Sequence, residues 1–347
     1  MNISQKTLTT LEFDKIREML ASLCPTEGAA QMARELYPDD RGEIVARKQR
    51  RTTDARRLVD AKGIAPFGTV HDMGDICERA LKGAVLTPRE LLDAAALLRS
   101  ARSLLDYKRS NHLFDTSLDE IFERLLPNHT LEDRIFRAII SEDMIADEAS
   151  PALADIRRKI RASNAKIKEA LSKYVSGSYS KYLQENIVTQ RNGRYVVPVK
   201  AEYKNEIKGL VHDTSASGAT LFIEPMSVVE ANNEIRILKN QEFIEIERII
   251  RDMSEQVGLY ADALIQSYDA ALQLEEYFAK SNGIKNGTIS INRFCNNESE
   301  LVNWTLVLEI EDKIPDINHY IVCTSHDYRH VVFRKKQAAY GLAFFVG

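Results

Sequence analysis

Between Ser150 and Ala279 the spacing of apolar residues changes from helical to alternating and back to helical, and few folds satisfy that order of periods. Leu153, Ile156, Ile160, Ile167 and Leu171 keep to one face of a helix that starts at Ser150-Pro151, while Arg157, Arg158, Lys159, Arg161, Lys166 and Lys168 fall elsewhere on it. Running to about Gln184, this helix would reach on the order of 50 Å at 1.5 Å per residue. After Pro225, Ile246, Ile250, Met253, Val257, Tyr260 and Leu264 recur four and three apart, which is heptad spacing. Two long helices around an insertion, each with one apolar seam, bury those seams most economically against each other. Gly258 reads as a weak point in the second helix, since Gly costs about 1 kcal/mol against Ala in a helix interior.

The insertion, 187–225, is β-rich. Ile187-Val188-Thr189-Gln190 and Tyr195-Val196-Val197-Pro198-Val199 flank Asn192-Gly193, the strongest short hairpin signal. A second pair, Gly209-Leu210-Val211-His212 and Ala219-Thr220-Leu221-Phe222-Ile223, flanks Ser215-Ala216-Ser217-Gly218. Arg191, Arg194, Lys200, Lys204 and Lys208, with Tyr195 and Tyr203 among them, are the residue types that contact phosphates and stack on bases. Glu202, Glu206, Asp213 and Glu224 balance their charge, so a solvated surface fits the pattern equally well. His212, Ser215 and Ser217 with Glu224 offer the side chains of an acyl-transfer site. Adjacency in sequence is not triad geometry, and serines that bond turn backbone explain the segment more simply.

The remainder is less informative. From Thr10 to about Ile145, apolar residues such as Leu11, Ile16 and Leu20, and later Leu91, Ala95 and Leu98, keep helical spacing, with a helix start at Thr87-Pro88-Arg89-Glu90. Net charge is −4, and 44% hydrophobic with 28% charged residues is an ordinary soluble balance. No apolar run is long enough to cross a membrane and no signal peptide is recognisable, so a cytoplasmic location is expected. Cys24, Cys77, Cys295 and Cys323 lie far apart with no Cys-x-x-Cys pair, which indicates neither a zinc nor a redox site. His326 and His330 have helix-ligand spacing but no accompanying Glu, in surroundings that read as strand, and are set aside as chance. Neither a Walker-type phosphate loop nor a Gly-x-Gly-x-x-Gly turn after a strand occurs. No cofactor, metal or catalytic residue is therefore expected in this chain.

Three stretches resemble the bacterial MutS type-two family: Thr7-Leu-Thr-Thr-Leu-Glu-Phe-Asp-Lys-Ile16; Gly68 through His71-Asp72 to Leu86-Thr-Pro; and Asn192-Gly-Arg-Tyr-Val-Val-Pro-Val-Lys200 followed by His212-Asp-Thr-Ser-Ala-Ser-Gly-Ala-Thr-Leu-Phe-Ile-Glu-Pro225. The resemblance implies a mainly α protein: a helical core at 1–145, two antiparallel lever helices at 146–279, and a β-rich clamp inserted at 187–225. It also implies that full-length members are dimers that use ATP and Mg, embrace branched or duplex DNA or the ribosome and its rRNA, and are linked to recombination suppression and to splitting of stalled ribosomes. The clamp residues that would touch nucleic acid are Arg191, Arg194, Tyr195, Lys200, Lys204, Lys208, His212, Ser215 and Ser217. The similarity stops at about Ala279, where the family's ATPase domain should begin, and the nuclease-like Smr domain is not recognisable either. The expectation for 280–347 is a divergent tail, such as a shifted reading frame, and for the chain a non-catalytic core, lever and clamp. An adaptor coiled coil that pairs with a partner helix is the alternative, and a serine-nucleophile enzyme ranks behind both.

Overall fold

The computed structural model describes residues 5–10, 12–39, 41–110 and 115–285, with short strands at 290–292, 306–309 and 322–323. In chain order the elements are α1 (Gln5–Thr10), α2 (Phe13–Ala21), α3 (Glu27–Arg34), α4 (Gly42–Lys62), α5 (Gly74–Leu81), α6 (Pro88–Arg109), α7 (Asp119–Phe122) and α8 (His129–Ala138). A hairpin of β1 (Ile139–Ser141) and β2 (Met144–Ile145) leads to α9 (Pro151–Val175). Then come β3 (Thr189–Arg191), β4 (Arg194–Lys200), β5 (Gly209–Thr214), β6 (Thr220–Pro225), α10 (Met226–Leu259) and α11 (Ala261–Lys285). Short antiparallel strands β7 (Ser290–Asn292), β8 (Leu306–Glu309) and β9 (Val322–Cys323) follow. The protein is thus mainly α with small antiparallel sheets. Among the described residues no helix is long and apolar enough to cross a membrane. The metal reading weighed for His326 and His330 falls outside the described residues.

The chain divides into two units: Met1–Ala84 with Glu90–Asp133 and Glu255–Gly347, and Val85–Arg89 with Arg134–Ser254. The first is organised by α11, which packs against α3, α4, α5 and α7. Its sequence is apolar on most faces, as a helix in the centre of a bundle requires, and Leu264, Ala270, Leu274 and Phe278 are fully or almost fully buried. Phe278 meets Phe67 edge to face at 5.4 Å and joins Leu58, Leu104 and Phe122 in one cluster. Each Leu- or Phe-sized side chain so buried contributes roughly 1.5–3 kcal/mol. Glu275 points into the same interior, where the backbone N–H of Thr26 donates to it at 2.7 Å and the Thr26 hydroxyl at 2.9 Å. Burial holds its carboxyl above the ordinary range despite those bonds.

The second unit is the helix–insertion–helix segment. The Ser150 hydroxyl accepts the Leu153 N–H at 3.0 Å and Pro151 takes the first helical position, so α9 begins where its sequence signals it should. It ends at Val175 rather than near Gln184, because Ser176-Gly177-Ser178 replaces the apolar period with turn residues. Its 25 residues span about 38 Å and the 34 of α10 about 51 Å. The expected double hairpin becomes one sheet of order β3-β4-β6-β5, since β4 pairs with β3 and also with β6. Val197, Val199 and Ile223 from this sheet share a core with Ile167 and Leu171 of α9 and Val228 and Ile235 of α10.

The heptad seam at 246–264 does not run through a single helix, because α10 stops at Leu259 and α11 starts at Ala261. Gly258 stands just before that break, and a Cβ there would lie 2.6 Å from the Ala80 carbonyl oxygen. The glycine is therefore a requirement of close backbone packing and not a weak point. Gly258→Ala raises helix propensity by about 1 kcal/mol, yet overpacking costs roughly 1–3 kcal/mol. The variant should melt below wild type in a thermal denaturation scan; an unchanged or higher midpoint would refute the close-packing account.

Candidate nucleic-acid interface

The Asn192-Gly193 turn places both residues at positive φ, 53° and 75°, which matches the right-handed twist of the flanking strands and delivers Arg191 and Arg194 opposite each other across the hairpin. Their fates differ. Arg194 reaches Glu224, donating through Nε to Oε2 and through a terminal nitrogen to Oε1, both at 2.8 Å, and also to Asn233 Oδ1 at 2.8 Å. Arg191 lies with its guanidinium 4.0 Å from the Phe222 ring centroid and Nε 3.3 Å from Asp213.

Glu224 is fully buried and collects three partners from different elements. Besides Arg194 of β4, Asn232 of α10 donates to its Oε1 at 2.7 Å, and His212 of β5 meets Oε2. The strand pairing slips between Val211 and Asp213, and this bulge sets His212 apart from the regular ladder. Asn232 also exchanges bonds with the Tyr195 backbone, accepting its N–H at 3.1 Å and donating to its carbonyl at 3.2 Å. Burial opposes the charged carboxylate, but the bonds from Arg194, Asn232 and His212 overcome it and hold Glu224 below its ordinary pKa. The charge of Arg194 is thus met inside the protein, and His212 is oriented by a carboxylate rather than toward a nucleophile.

The serines complete a turn. Ser215 Oγ accepts the Thr220 N–H at 3.0 Å and lies 3.3 Å from Ser217 Oγ, while the Gly218 N–H donates to the Ser215 carbonyl at 2.8 Å. Nothing in that arrangement pairs either hydroxyl with His212. Lys204 and Lys208 are exposed, and Lys200 sits 5.9 Å from the Tyr203 ring with Nζ donating to the Lys181 carbonyl at 3.4 Å. Of the nine residues that the sequence points to, then, Lys204 and Lys208 are exposed cations and Lys200 is half-buried; Lys200 stands opposite Thr220 at one end of β6, while the Lys208 carbonyl accepts the Met226 N–H at the other. Arg194, Tyr195 and His212 gather instead around Glu224. Among the described residues no cluster of three or more His, Cys, Asp or Glu is placed to hold a metal ion.

The chain is 45% identical to the endonuclease MutS2 of Acetivibrio thermocellus over 284 residues, which is 80% of this chain and 36% of that protein. It is 41% identical to that of Symbiobacterium thermophilum over 308 residues, 89% and 38% of the two chains, and 42% identical to that of Ruminiclostridium cellulolyticum over 284 residues. The chain belongs to the MutS2 family. No protein-family model matches it. It spans little more than a third of the length of the MutS2 relatives it matches. A match covering 80% of 347 residues necessarily includes α9, the four-stranded sheet and α10, so these elements lie within the shared MutS2 portion.

Two features have no local signature in the sequence. Glu224 reads there as a residue that merely dilutes the charge of the insertion, because its partners lie 8, 12 and 30 residues away and nothing local announces them. Tyr174, Tyr179 and Tyr182 precede the β-rich stretch, and their clustering with Tyr203 arises only in the folded sheet.

Removing one partner of a buried charge pair costs about 3–5 kcal/mol, so Glu224→Gln should lower the unfolding free energy by an amount of that order near neutral pH. The folded pKa of Glu224 is depressed below 4.5, so its contribution is complete above that pH and is lost as pH falls through the folded value. The gap between wild type and variant in urea unfolding should narrow under acid conditions; a gap independent of pH would show that the carboxylate is not what stabilises the sheet.

Proposed function

We propose that this chain provides the nucleic-acid-gripping core, lever and clamp portion of a MutS2-type protein, with α9 and α10 as levers and the four-stranded sheet as clamp. The observation that carries this reading is the pair of exposed lysines, Lys204 and Lys208, with the half-buried Lys200, spread along β4 and its connection to β5 on a sheet that the Glu224 cluster ties to α10. The matched relatives are named endonucleases, enzymes whose substrates are nucleic acids. Phosphate recognition needs cations whose charge is not already met inside the protein, and the exposed Lys204 and Lys208 meet that need while Arg194 does not. On α9 much of the basic excess is met locally: Arg157 bridges Asp147 at 2.8 Å and Glu242 at 2.6 Å, Arg161 bonds Asp147 at 2.9 Å, and Lys159 pairs with Asp155 at 2.8 Å. The grip therefore concentrates at the sheet. Branched or duplex DNA and ribosomal RNA both present the required phosphates, and participation in recombination control or in splitting stalled ribosomes would follow from such a grip.

A second reading, docking of a partner helix, has one observation in its favour: Ile237, Phe243 and Ile244 are more than half exposed on α10.

Gel shifts with forked DNA and co-sedimentation with collided ribosomes, each over a salt series, test the proposal. Binding should weaken steeply with salt, and alanine at Lys200, Lys204 and Lys208 should reduce both the affinity and the salt slope, by about one unit for each phosphate no longer neutralised. A folded chain that binds neither target, or one whose affinity ignores all three lysines, would defeat the proposal. Salt-insensitive association with protein alone would favour the helix-docking reading.

A further inference from the structure

Four tyrosines form a continuous row on the sheet-bearing unit. Tyr174 and Tyr179 have ring centroids 5.0 Å apart, Tyr179 and Tyr182 are 6.3 Å apart, and Tyr182 and Tyr203 are 5.2 Å apart, each pair tilted by 41° to 57°. Three lysines lie alongside, one for each of three rings: Lys173 is 5.6 Å from Tyr174, Lys181 is 4.8 Å from Tyr182 and Lys200 is 5.9 Å from Tyr203. Tyr174, Tyr182 and Tyr203 pack one side against the apolar core of the unit. Tyr179 stands further out, 38% exposed.

Around three of the four rings, along 170–184, the charge in the sequence is one-signed. No acidic residue occurs between Glu169 and Glu185, whereas Lys173 and Lys181 fall inside that interval. This differs from the insertion itself, where Glu202, next to Tyr203, Glu206 and Asp213 offset the cations. A row of rings packed only for apolar burial would not need a lysine beside three of its four members. Rings that stack on bases, with ammonium groups placed for the phosphates between them, form the arrangement used to hold unpaired nucleotides.

We propose that the Tyr174–Tyr179–Tyr182–Tyr203 row is a stacking platform for single-stranded nucleic acid, distinct from duplex phosphate contacts at Lys204 and Lys208. The proposal rests on the nucleic-acid reading above and adds the substrate class, unpaired bases. Tyr179 is the ring free to receive a base, and the packed neighbours fix its position. Stacking is blind to base identity because every base has a π face, so little sequence preference is expected.

The test uses the full chain and fluorescence anisotropy with labelled oligo-dT and oligo-U of about 12 nucleotides, beside a blunt DNA duplex of the same length. Tyr179→Ala should weaken single-strand binding about tenfold or more, Tyr179→Phe should restore it, and duplex affinity should not change. Tyrosine emission of the wild-type protein should also be quenched when a single strand is added, a readout that does not depend on any variant folding. Tyr179-dependent binding of either oligonucleotide supports the platform, and the tighter arm identifies the sugar it prefers. Duplex binding with no quenching, or with Tyr179→Ala leaving single-strand affinity intact, overturns the platform while the nucleic-acid reading stands. Failure to bind any nucleic acid overturns both.

Discussion

A carboxylate with no access to water carries the architecture of the sheet-bearing unit. Glu224 is the penultimate residue of β6, two residues before α10 begins, and its two oxygens are claimed by β4, β5 and α10 together. Backbone ladders fix β4 and β5 to β6 only as strands in a twisting ribbon. The side-chain bonds to Glu224 and the bonds of Asn232 to the Tyr195 backbone tie that ribbon to a helix of about 51 Å. Without the carboxylate, Arg194 and Asn232 would be left with buried polar groups to satisfy, which is why such a network is all or nothing. Position follows from this: Lys200, Lys204 and Lys208 end β4 or lie in the connection to β5, and Tyr203 lies in the same connection.

Rigidity has a functional sense. A surface that reads nucleic acid through phosphates gains affinity when its cations are held in place before contact, because less ordering remains to be done on binding. The arrangement uses some charged residues as internal fasteners and leaves others facing solvent. Arg194 and Arg191 lie three residues apart, on facing strands of one hairpin, yet Arg194 serves the interior while Arg191 lies over an aromatic ring and beside Asp213.

Much of this is legible in the sequence and some is not, for identifiable reasons. The period change at 150–225, the Ser150 cap and the Asn192-Gly193 turn are local signals, and local chemistry decides them. The end of α9 at Val175, nine residues before Gln184, is set by the Ser176-Gly177 break, which the apolar residues Tyr179 and Tyr182 beyond it mask in the sequence. The continuous heptad seam is an accident of spacing across a helix break, and Gly258 looks like a defect in the sequence because its reason, the Ala80 carbonyl, lies in a distant stretch of chain. For the candidate interface, residue type marks every cation alike, and only tertiary structure separates a cation facing solvent from one facing Glu224. The tyrosine row illustrates the same limit, since three of its members lie outside the β-rich stretch and the fourth lies within it.

Hydrogen–deuterium exchange of the full chain, with and without forked DNA carrying a single-stranded arm, bears most directly on the claim that the sheet and its tyrosine row form the gripping surface. The account predicts new protection confined to 173–208, with α4 and α11 unchanged. Protection centred on the first unit, or none at 173–208 under conditions where the DNA is bound, would contradict it.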